Sequence, residues 1–72
     1  DTDELADLGE RFYQVLCANP GETMAVLATL VGAAPGELHH PVALLERAGR
    51  VRTVGLRRAT RYFPTTKGAK AA

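Results

Sequence analysis

Apolar residues recur at three- and four-residue intervals through the first part of the chain: Leu5, Leu8, Phe12, Val15 and Leu16. That spacing lays one apolar stripe along a helix, and it predicts an amphipathic helix from about Asp3 to Ala18. Thr2 or Asp3 can cap its start, and the early acids complement the positive end of the helix dipole. "NPG" at 19–21 stops it. A second helix is expected over Thr23 to Val31, capped by Thr23 or begun earlier by an Asn19–Glu22 capping box. Met24, Val26, Leu27, Leu30 and Val31 leave it almost no polar face, so it should be largely enclosed. After the break "GAAPG", Pro35 suits the first turn of a third helix that runs to about Ala48 and ends at Gly49. Leu38, Val42 and Leu45 form its inward stripe. Pro41 interrupts this segment, removing a backbone hydrogen bond at about 3 kcal/mol. Either one helix kinks there, or residues 35–40 form a separate turn and the regular helix begins at Pro41.

Past Gly49 the period shortens. "RVRTV" and "TRYF" are β-branched or aromatic and flank "GLRRA", which predicts a hairpin with a five-residue loop. Val51, Thr53 and Tyr62 are expected to face inward, with Phe63 adding to the core, while Arg52 and Arg61 point out. Pro64 ends the second strand because it cannot donate to a ladder. The domain is therefore expected to span 1–64, with "TTKGAKAA" at 65–72 as a flexible tail.

Composition changes this picture little. Seventy-two residues make one small domain, and 46% hydrophobic content is ordinary for a folded chain. The chain begins at Asp1 without a methionine, so an excised domain or a processed chain is expected. The longest apolar-rich run, "MAVLATLVGAA", is about half of the ~20 residues a membrane span needs, and no secretion leader is recognised. A lone cysteine, Cys17, cannot form an internal disulfide and fits a cytoplasmic setting, as a small half-buried helix residue.

Charge changes it more. Residues 1–38 hold seven acids (Asp1, Asp3, Glu4, Asp7, Glu10, Glu22, Glu37) against Arg11 alone. Residues 39–72 hold eight bases (Arg47, Arg50, Arg52, Arg57, Arg58, Arg61, Lys67, Lys70) against Glu46 alone. The net charge of +1 thus conceals a polarised chain with a strong positive field on one side. Charged strands and a solvated hairpin tip would account for two or three arginines. Six between Arg47 and Arg61 exceed that and favour a nucleic-acid partner.

The segment "MAVLATLVGAAPGELHHPVALLERAGRVRTVGLRRATRYFP", residues 24–64, resembles a winged helix-turn-helix domain of bacterial regulators and nucleoid-associated proteins. The matching positions are Leu27–Ala28, Leu30, Gly32, Leu38, Pro41, Leu45, Gly49 to Thr53, Gly55 and Arg57 to Phe63. The resemblance implies an α+β fold of three helices with a C-terminal β-hairpin wing. It also implies duplex DNA as partner, with the third helix in or near the major groove and the wing along the backbone or minor groove. On that basis Arg57 and Arg58 occupy the wing tip, Arg50, Arg52 and Arg61 hold phosphates, and Gly36, Glu37, His39, His40 and Arg47 face the groove. Guanidinium groups suit both phosphate oxygens and a narrow minor groove. The outward face of the third helix departs from a strong base reader, which would carry Arg, Asn, Gln or Ser in its first two turns. Glu37 is repelled by phosphates, although it can accept from cytosine, and His39 and His40 donate best when protonated. Binding led by the wing, with modest base readout, is the expectation.

Other chemistries find little support. His39 and His40 are adjacent, so they diverge by about 100° and do not chelate as an i, i+4 pair would. No nucleophile–base set, phosphate-cradling loop or carboxylate pair is recognised, so neither enzyme activity nor a cofactor or metal is expected. The rival expectation is a winged helix that binds protein, through its acidic first helix or by pairing the acidic and basic faces of neighbouring copies.

Overall fold

The computed structural model describes residues 2–65. Its elements, in chain order, are α1 (Thr2–Ala18), β1 (Glu22–Thr23), α2 (Met24–Val31), α3 (Pro35–Arg47), β2 (Val51–Val54) and β3 (Arg61–Pro64). A 3-10 turn at Arg57–Ala59 lies between the last two strands. Three helices therefore accompany a three-stranded antiparallel sheet of order β1-β3-β2, an α+β arrangement.

The apolar spacing of α1 places Phe12 and Leu16 at full burial, with Leu8 and Val15 packed alongside. They meet Leu27, Ala28 and Val31 of α2, Leu38, Val42 and Leu45 of α3, and Val51 of β2. Tyr62 closes this core from the sheet, its ring edge-on to Phe12 with centroids 6.2 Å apart. The inward set predicted for α3 is thus the observed one, and the α1 stripe is found from Leu8 to Leu16, while Leu5 is half-buried outside that cluster. A single helix runs through Pro41, whose side chain is fully buried against Gly9 of α1. That apolar burial offsets part of the lost hydrogen bond.

Several expectations are corrected. β1 has no counterpart in the sequence reading: Glu22 and Thr23 pair with Tyr62 and Arg61 and make the hairpin the rest of a sheet. The Asn19–Glu22 capping box does not form, because the Asn19 amide donates to the Val15 carbonyl at 3.0 Å. Thr23 is the cap residue of α2 but makes no side-chain cap bond. α2 is not enclosed. Val26 and Leu30 are 41% and 51% exposed, since an eight-residue helix covered along one side leaves its other apolar side without cover among the described residues. Cys17, one position past the buried Leu16, is exposed rather than half-buried.

The hairpin also differs in detail. Its connection runs over 55–60, because Thr60 lies outside β3. Thr53 is exposed: it shares the inner face with Val51 and Tyr62 but sits nearer the loop, where the core cover ends. Phe63 lies on the opposite face from Tyr62, as a two-residue period requires, and does not join the core. Thr65, assigned to the tail, donates its N–H to the Arg50 carbonyl at 2.8 Å and extends the β2–β3 pairing. The rest of the predicted tail, 66–72, lies outside the described residues.

Candidate nucleic-acid interface

The connection between β2 and β3 has a defined backbone path. Gly55 adopts φ 104°, and a Cβ there would stand 2.8 Å from the Ala59 carbonyl oxygen, so no other residue fits without a shift. Ala59 N–H donates to the Leu56 carbonyl at 3.0 Å, and Thr60 N–H to the Arg57 carbonyl at 3.1 Å. Arg57 itself lies in the left-handed region at φ 54°, a conformation that costs a non-glycine residue about 1–2 kcal/mol. The exposed Arg57 and His39 then line one groove of about 500 Å³, together with Met24, Ala25, Pro35 and Tyr62. That groove lies where the start of α2, the start of α3 and the hairpin connection converge. Burial of the Tyr62 ring, and secondarily the charge of Glu46, push its hydroxyl above the ordinary tyrosine value.

The remaining arginines divide by what they touch. Arg52 lies on the outer face of the sheet, its guanidinium 5.7 Å from the centroid of the Phe63 ring opposite it. Arg61, on the same face, donates to the Gly21 carbonyl at 2.8 Å and ties β3 to the turn before β1. Both are exposed, so their charge still faces solvent. Arg50 is differently placed. Its guanidinium pairs with Glu10 of α1 at 2.7 Å and stacks 4.2 Å from the Tyr13 ring centroid. The hydrogen bond to Arg50 lowers the Glu10 pKa, and the same bond raises that of Arg50. Arg50 therefore fastens the start of the hairpin to α1 and has less to offer a phosphate than its neighbours. The Arg58 backbone belongs to the 3-10 turn.

On α3, Gly36, His40, Ala43 and Arg47 recur at the i, i+4, i+7, i+11 spacing opposite the buried Leu38, Val42 and Leu45, and all four are exposed. His39 and Glu46 share the flank turned to the hairpin, as the groove lining and the Tyr62 environment require. Glu37 has a structural duty: its carboxylate accepts the Ala34 N–H at 2.8 Å and caps the helix start. A residue used this way is poorly free to read cytosine. Arg11, absent from the predicted interface, donates to the Val31 carbonyl at 2.6 Å and satisfies the end of α2.

The structure thus brings Arg57 and His39 to one groove, places Arg52 and Arg61 at diagonal positions on the outer sheet face, and turns Arg50 and Glu37 to internal partners. The residues that sequence reasoning missed are the apolar ones, Met24 and Tyr62 beneath the groove and Leu56 at the hairpin tip. Leu56 is 80% exposed, a signal invisible to any periodicity. Among the described residues, no three His, Cys, Asp or Glu side chains are grouped to hold a metal, and no helix is long and apolar enough to cross a membrane. No protein-family model matches the chain, and no curated protein or solved structure matches it.

Proposed function

We propose that the chain is a winged-helix module that binds duplex DNA, with its arginine-rich hairpin as the wing and α3 facing the major groove. It acts as a binding module rather than an enzyme, within a bacterial transcription regulator or nucleoid-associated protein of the cytoplasm. The observation that carries this reading is the convergence of Arg57 with His39 on one groove between the hairpin and the first turn of α3. Three helices and an antiparallel sheet are compatible with that arrangement. Arg52 and Arg61 supply exposed charge on the outer face of the sheet, opposite the Tyr62 face that lines the groove, and Arg47 supplies it at the far end of α3. Phosphate contacts of this kind position a protein on DNA without reading sequence. With Glu37 engaged as a cap, base readout falls to Gly36, His39 and His40 and is modest.

A second reading has its own observation. The exposed Val26 and Leu30 of α2 give the described residues a second apolar surface, of the kind a protein-binding winged helix would use. Titration of isotope-labelled protein with short random and AT-rich duplexes separates the two. The DNA reading predicts amide shifts concentrated in 36–47 and 50–63. Shifts that appear only with an added protein partner, confined to 3–18 and the exposed side of α2, would replace it by the protein-binding reading.

A further inference from the structure

We propose that Leu56 is a wedge: on DNA, the hairpin tip inserts this side chain from the minor groove between two base pairs, unstacks them and bends the duplex. The inference rests on the DNA-binding reading above and adds a mode of action to it.

Leu56 is the most exposed of the exposed large hydrophobic residues, at 80%, against 53% for Val54, the next. A single exposed leucine is common on protein surfaces and by itself means little. Its setting is what distinguishes this one. The chain on either side is held in a defined shape, by Gly55 at φ 104°, by Arg57 at φ 54° and by the two hydrogen bonds that close the 3-10 turn. An apolar side chain is thus offered to solvent from a backbone of defined local shape. Val54, two residues back along β2, adds an apolar shoulder. Arg57 and Arg58 follow Leu56 directly in the chain, and Arg52 and Arg61 lie on the outer face of the strands behind it.

Minor-groove binding proteins combine these same parts. Cations hold the phosphates flanking a step while an apolar side chain enters it, and the cost of unstacking is offset by burial of that side chain and by closer backbone contact along the bend. A polar residue at the tip would serve phosphate binding as well and would avoid exposing apolar surface. Leucine is explained by what it enters. The pyrimidine–purine steps, TA above all, unstack most readily and are the steps such a wedge selects.

The experiment uses a duplex of about 20 base pairs with one central TA step, 2-aminopurine in place of the adenine, and a fluorophore pair at its ends. Wild type, Leu56→Gln and Leu56→Ala are titrated at low salt. Wild type should raise the 2-aminopurine emission severalfold and bring the ends together by a bend within the range of roughly 20–90°. Both variants should fold as wild type, bind about tenfold more weakly, keep the same salt dependence and lose the bend together with the emission change. Binding by wild type without unstacking or bending overturns the wedge and leaves DNA binding standing. Bending by Leu56→Gln equal to wild type does the same. No binding by wild type at low salt overturns both.

Discussion

Replacing Phe12 with alanine is expected to leave little folded protein, with a loss of about 3–5 kcal/mol. The residue is fully buried where α1 meets the sheet, and its ring edge faces Tyr62 at an interplanar angle of 86°. Removal leaves a cavity at the centre of the core and also deletes an aromatic pair that contributes about 0.5–1.5 kcal/mol beyond its area. A domain of 72 residues has on the order of 4–11 kcal/mol in total, so one such change removes a large share. Urea unfolding followed by circular dichroism measures it. Leu30→Ala is the matched control: it deletes similar apolar volume at a half-exposed site and should cost much less. Equal losses for the two would mean that the core does not centre on Phe12.

Changing Arg57 and Arg58 together to alanine should weaken duplex binding on the order of 100-fold at low salt, alike for every sequence. Each charge-assisted hydrogen bond to a phosphate contributes about 1.5–3 kcal/mol, and the pair sits on the 3-10 turn at the end of the hairpin. The double variant should also reduce the salt slope by about 2, one per lost phosphate contact. Alanine at 57 is still a non-glycine residue at φ 54°, so that strain stays and stability should hold while affinity falls. Fluorescence anisotropy on random and AT-rich duplexes checks both quantities. Wild-type affinity in the double variant would show that the hairpin tip is not where DNA is held.

The parts of the fold that were legible in the sequence are those where one spacing admits one answer. The stripe of α1 and the inward set of α3 each had a polar side to define direction, and both are found as expected except for Leu5, which lies outside the core cluster. α2 had none, so its composition could not say which side would be left bare. β1 is two residues long, too short for any alternation to register. Phe63 illustrates a different limit: adjacent strand residues must face opposite ways, and with Tyr62 inward the period already sends Phe63 out. At the candidate interface, the arginines were legible as charge but their engagements were not. Arg50 meets Glu10, and Arg61 meets Gly21, each across 40 residues of chain, a distance at which spacing carries no information. Leu56 was unreadable for the opposite reason, because its significance lies in an exposure that no spacing encodes.

The account stands on the hairpin and α3 binding the phosphate backbone, and a salt titration on a random duplex tests it most directly. With four to six phosphates engaged, the logarithm of the affinity should fall against the logarithm of salt concentration with a slope of roughly −4 to −5. No detectable binding at low salt, or an affinity indifferent to salt, would contradict it.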